Sequence, residues 1–181
     1  MPATVLMTPN GKTLNVGDWD SGTVTPICTA ANTALPAIRV APPHGLDTAF
    51  AITPDGRTLY VDGGFGGSNR GFIVPVSTAT GAGGRPILAS GQPGVMAFTP
   101  NGMTLYVLPS GHPGPQDIIP VNTATNTAGP AIHTGLSPDA IAITLPGARR
   151  PRDRRAARSA PTATRTGPAP SAPGPLNALT N

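Results

Sequence analysis

The side chains of this sequence that could do chemistry are few. Three histidines, His44, His112 and His133, could ligate a metal or act as general bases, and Asp18, Asp20 and Asp47 could supply carboxylates beside them. The His residues lack the paired Cys or carboxylate spacing that a structural or catalytic zinc site uses. Asp18 and Asp20 share the alternate spacing at the head of a calcium loop, but the ligands due further along that loop are missing. Gly63-Gly64-Phe65-Gly66-Gly67-Ser68 has the glycine density of a phosphate cradle. No helix pattern follows it, and that chemistry needs a helix N-terminus, so the segment reads as a connector. No Gly-x-Ser-x-Gly elbow occurs, and no Ser, His and Asp can be nominated as a triad. Cys28 has no second cysteine to pair with and falls in an apolar run, where a packed thiol is expected. Trp19 offers an aromatic contact surface and Arg70 a cation. These residues predict no catalytic group, no cofactor and no metal.

The elements that must position them are short strands. The 181 residues include 23 Gly and 24 Pro but no Glu, with Thr, Ala, Val and Ile filling the intervals. That composition disfavours long helices and favours strands joined by turns, with proline kept to turns and strand edges. The formal charge of +4 is unevenly spread. Residues 1–147 carry a net −2 and residues 148–181 a net +6, so the basic character belongs to the C-terminal part. The N-terminal stretch lacks a basic segment followed by an apolar core, so no signal peptide is legible, and no run is long and apolar enough to predict a membrane span.

A repeat organises the first 144 residues. Thr8-Pro9-Asn10-Gly11-Lys12-Thr13-Leu14 returns as Thr53-Pro54-Asp55-Gly56-Arg57-Thr58-Leu59 and as Thr99-Pro100-Asn101-Gly102-Met103-Thr104-Leu105, at spacings of 45 and 46 residues. A second motif keeps the same rhythm in Val24-Thr25-Pro26-Ile27, Val74-Pro75-Val76 and Ile119-Pro120-Val121, each followed by a Thr-Ala pair. Each repeat reads as an apolar first strand, a Pro-Asx-Gly turn, a second strand, a loop, a third strand and a short fourth, here around Pro86-Ile87-Leu88. That is the length and content of one four-stranded β-propeller blade. The expected fold class is therefore all-β, an incomplete propeller arc of three antiparallel blades at about 3–40, 48–89 and 94–134. A fourth copy opens at 139–144.

Thr-Pro-Asp-Gly-Arg-Thr-Leu-Tyr-Val at 53–61, Pro-Val-Asn-Thr-Ala-Thr-Asn at 120–126 and Ala-Ile-Ala-Ile-Thr at 140–144 resemble the YVTN-type β-propeller repeat family. The resemblance covers residues 3–144. It implies a seven-bladed parent, often bacterial and exported or at the cell surface, with no established activity in most members. Lactonase-like and quinoprotein dehydrogenase-like propellers make an enzyme the alternative. The sequence departs from the pattern at Asn15, where Tyr60 and Tyr106 stand in the other copies, and at Cys28.

The pattern stops after Thr144. Leu145-Pro146-Gly147-Ala148-Arg149-Arg150 takes the place of the next turn and second strand, and residues 146–181 are Arg, Pro and Ala rich, a composition that predicts a disordered tail. The break inside a strand-turn-strand unit fits an out-of-frame segment better than a nucleic-acid arm, although six Arg lie within 149–158. Three blades leave two apolar flanks open, which predicts self-association. In a four-stranded blade the loop between strands two and three and the loop between blades lie on one face. That face should carry Asp18, Trp19, Asp20, His44, Asp47, Arg70, His112 and His133, and it is where an unknown protein or small ligand would bind. The first strands Thr4-Val5-Leu6-Met7, Ala49-Phe50-Ala51-Ile52 and Val95-Met96-Ala97-Phe98 offer almost no polar groups to a central channel. This favours a non-enzymatic scaffold.

Overall fold

The computed structural model describes residues 2–42, 44–64, 71–89, 91–110, 115–136, 138 and 140–143, all within one compact unit, Met1–Pro146. The Arg-rich segment expected to be disordered lies outside the described residues. Every regular element described is a strand, and the strands form three antiparallel sheets in chain order. Blade 1 contains β1 (Pro2–Met7), β2 (Thr13–Asp18), β3 (Thr23–Cys28), β4 (Thr33–Ala34) and β5 (Ile38–Arg39). Blade 2 contains β6 (Leu46–Ile52), β7 (Thr58–Gly64), β8 (Gly71–Ser77) and β9 (Ile87–Ala89). Blade 3 contains β10 (Gln92–Phe98), β11 (Thr104–Ser110), β12 (Pro115–Asn122), β13 (Thr127–Ala128) and β14 (Ile132–Leu136).

The Thr-Pro-Asx-Gly turn has the same bonds in all three blades. In blade 2 the Thr53 hydroxyl donates to Asp55 Oδ1 at 2.5 Å and accepts the Thr58 N–H at 3.0 Å, while Asp55 Oδ1 also accepts the Arg57 N–H at 3.0 Å. Gly56 closes the turn with φ 72°, a left-handed conformation that glycine adopts without steric cost. The second repeated motif fastens onto the first. Thr29, Thr78 and Thr123 donate their hydroxyls to the carbonyls of Gly11, Gly56 and Gly102 at 2.8, 2.7 and 2.7 Å. The two motifs thus share a period because they touch within each blade.

The outermost strand, expected as one short segment, is broken in two. In every blade its pairing with the third strand slips by one residue, between Ile27↔Ala34 and Val24↔Ile38 in blade 1 and at the matching positions of blades 2 and 3. The cause is proline. Pro26, Pro75 and Pro120 have no N–H for the ladder, and their carbonyls instead accept the N–H of Leu35, Gly84 and Gly129 at 2.8, 2.7 and 2.7 Å.

First strands start two residues ahead of the expected 48 and 94, because Leu46↔Gly63 and Gln92↔Ser110 still pair beyond an irregularity in register. Of the strand expected at 139–144, only Ala140–Ile143 fall among the described residues. Ala140–Ile143 join no sheet, and the sequence after Thr144 supplies no Thr-Leu-Tyr-Val mate to form its hairpin.

Alternation along the strands builds two cores. Leu59, Val61, Phe72, Val74 and Val76 of blade 2 meet Val24 and Leu6 of blade 1, whereas Tyr60, Ile73 and Ile87 meet Leu105, Val107, Ile119 and Val121 of blade 3. Blade 2 is therefore buried on both faces, and β8 is buried over Gly71–Val76 without a break. Among the described residues, blades 1 and 3 each have one covered face.

Candidate binding face

The loop between β2 and β3 and the inter-blade loop before β6 come together. The His44 N–H donates to the Trp19 carbonyl at 2.9 Å, and the N–H groups of Val40 and Ala41 both reach the Gly22 carbonyl at 3.1 Å. His44 has φ 59°, an uncommon conformation for a residue with a Cβ, and its ring lies 4.5 Å from that of Trp19 at a 58° tilt. His44 Nδ1 is also 3.7 Å from Asp20 Oδ1. Asp18 turns inward to the loop itself. Its Oδ1 accepts the Ser21 N–H at 2.9 Å and lies 3.1 Å from the Ser21 hydroxyl. The Ser21 N–H bond is the main reason its carboxyl is held below the usual range. Trp19 keeps 40% of its surface exposed, and the side chains of His44 and Asp20 keep 60% and 54%.

Four of the eight residues expected on this face, Asp18, Trp19, Asp20 and His44, thus share one loop cluster. His133 sits in blade 3 on β14, with its Nδ1 2.6 Å from Asp117 Oδ1, and blade 2 separates it from the cluster. Asp47 falls within β6, and its side chain, Arg70 and His112 lie outside the described residues. Among the described residues no three His, Cys, Asp or Glu side chains gather as metal ligands.

Two features escaped the sequence reading. Asp62 is fully buried in β7, where Gly17 and Leu108 stand in the other blades, and its Oδ1 accepts the Ala49 N–H at 2.9 Å. That bond holds β6 where its register with β7 slips. The available signal was a carboxylate ending the apolar run Leu59-Tyr60-Val61. The other feature is a latch between blades. Tyr60 donates its hydroxyl to Oδ1 of Asn126 at 2.6 Å, and Asn126 lies in the turn after β12 with φ 54°. Between blades 1 and 2 both halves are replaced, by Asn15 and by Gly81. A groove of about 530 Å³ opens there, lined by Asn15, Pro26, Ile38, Leu59, Val76 and Gly81.

Sheets of four antiparallel strands, stacked face to face in chain order at a period near 45 residues, are blades of a β-propeller. Solved structures agree. Hydrazine synthase from Kuenenia stuttgartiensis superposes with a TM-score of 0.63 at 24% identity, covering 74% of this chain and 36% of that one. The β-propeller domain of Cps50 (Swd1) from Myceliophteria thermophila gives 0.53 at 15% identity, covering 73% of this chain and 43% of that one. The chain therefore spans well under half the length of either. No family model and no curated protein matches it.

Proposed function

We propose that the chain is a non-enzymatic β-propeller scaffold of the YVTN repeat type that binds a protein or small ligand on its Trp19 face. One observation carries this reading: Trp19, Asp20 and His44 form an exposed aromatic, acidic and imidazole surface held by backbone bonds between two loops. Aromatic residues presented on a rigid loop frame are strong contributors to recognition. The three aligned motif copies support the repeat family, and that resemblance supports an exported bacterial parent. Fold likeness to hydrazine synthase carries no activity across.

Trp19 is the single tryptophan, so its emission reports on this face alone. Peptides and oligosaccharides would be titrated against the full chain while indole fluorescence is followed. A binder should shift the emission, and His44→Ala should weaken it about tenfold, equivalent to about 1.4 kcal/mol. Lys12→Ala, on the opposite turns, should leave it unchanged. Binding that ignores His44 would place recognition elsewhere, and turnover of lactone substrates would replace the scaffold reading by an enzymatic one.

A further inference from the structure

The outward faces of blades 1 and 3 are the two halves of an interface the molecule already contains once. At the junction of blades 2 and 3, blade 2 presents Ala51, Tyr60, Ile73 and Ile87. The matching positions of blade 3 carry Ala97, Tyr106, Ile118 and Ile132, the same residue types in the same order, and none of them is buried. Ile132 is 44% exposed, whereas Ile87 in its covered counterpart position is 5% exposed.

Blade 1 shows the complementary half. Where blade 3 meets blade 2 with Met96, Phe98, Leu105, Val107, Ile119 and Val121, blade 1 turns Val5, Met7, Leu14, Val16, Thr25 and Ile27 outward. Val5 is 62% and Met7 44% exposed.

Two specific contacts are split in the same way. The Tyr60 to Asn126 latch has its hydroxyl half repeated at Tyr106. Its acceptor half is repeated at Asn32, in the same turn and the same left-handed conformation, with φ 51° against 54°. The turns also stack. A Cβ on Gly56 would lie 3.3 Å from Pro9, and one on Gly102 would lie 3.1 Å from Pro54, so each turn glycine rests on the proline of the preceding blade. A Cβ on Gly11 would meet nothing within 4 Å, and Pro100 is the proline left to fill that place.

We infer that blade 3 of one chain docks on blade 1 of a second copy, with Tyr106 donating to the partner's Asn32 and Pro100 seated on the partner's Gly11. Two copies joined head to tail through two identical junctions make a closed ring of six blades, inside the range that propellers adopt. Closure with two copies covers the outward faces of blade 1 and blade 3 in both, which an isologous pairing of like faces would not do.

The test is sedimentation of the full chain and two flank variants, with Trp19 emission as the check on folding. Wild type should run as a dimer. Tyr106→Arg blocks the blade 3 face and Val5→Arg blocks the blade 1 face, so each should be monomeric alone. Mixed together they retain one good face each and should form a heterodimer through a single junction. A wild-type monomer across the concentration range, a Val5→Arg variant that stays dimeric, or an open series of larger oligomers would overturn the ring. Tyr106→Phe covers the case in which the arginine variants fail to fold. It keeps the ring packing, removes only the hydroxyl at both junctions, and should raise the dimer dissociation constant about thirtyfold. An unchanged constant would overturn the latch.

Discussion

At the scale of single residues, the Thr-Pro-Asx-Gly turn shows how a few side-chain bonds and one positive φ make a motif. Blades 1 and 3 close the turn with a neutral Asn, at positions 10 and 101, whereas blade 2 uses Asp55. The Thr53 hydroxyl, followed by the Arg57 N–H, lowers the Asp55 pKa. A carboxyl depressed in the folded state stabilises the fold above its unfolded value, near 3.9, and that contribution is lost as pH falls through the folded value. Asp55→Asn should therefore leave the melting temperature at pH 7 nearly unchanged and flatten its decline in acid, as thermal unfolding between pH 5 and 2 would show. Tyr60 behaves in the opposite sense. Burial raises its pKa, so its contribution is complete below the usual tyrosine value of about 10 and is lost as pH rises beyond it. Tyr60→Phe should cost about 1 kcal/mol at neutral pH through the lost bond to Asn126, while removing part of the alkaline instability. Denaturant titrations at pH 7 and above pH 10 would separate the two effects.

At the scale of elements, the register of each sheet is held by a small number of polar contacts set among apolar alternation. Asp62 is the clearest, since its bond to the Ala49 N–H spans the slip between β6 and β7. Asp62→Ala leaves a buried N–H without that acceptor and should destabilise the chain by about 1–3 kcal/mol, measurable in urea. The groove between blades 1 and 2 points the other way. Asn15→Tyr together with Gly81→Asn would rebuild the latch seen between blades 2 and 3. Asn tolerates the left-handed turn, and only Ile38, 3.1 Å from a Cβ at position 81, must give way. A gain of about 1 kcal/mol is expected for the pair and less for either change alone, because each half needs the other.

At the scale of the whole molecule, stability should follow the stacking of the blades, since in repeat proteins each unit gains from its neighbours. Among the described residues, blade 2 has two neighbours and blades 1 and 3 have one each. Amide hydrogen exchange should be slowest in β7 and β8 and faster in β2 and β11 at low protein concentration. Raising the concentration should slow exchange in β2 and β11 selectively, because those strands gain a neighbour when the ring closes. Uniform exchange through all three sheets would argue against a stacked hierarchy.

The three-blade architecture was legible in the sequence because it rests on local chemistry. Turn residues at fixed offsets, period-two alternation and two motifs in one register each act within about 45 residues, and each repetition corroborates the others. The loops carrying Trp19 and His44 were legible for the same reason, as insertions on one side of a known hairpin order. What the sequence could not supply were relations between blades. That Tyr60 meets Asn126, that Asn15 and Gly81 leave one groove, and that Asp62 is buried all depend on which face of a strand meets which neighbour across tens of residues. A tyrosine in a strand has the same local preferences whether its hydroxyl finds a partner or water. Local sequence determined the blades, and only the tertiary packing, where desolvation and long-range hydrogen bonds act, decided what holds one blade to the next.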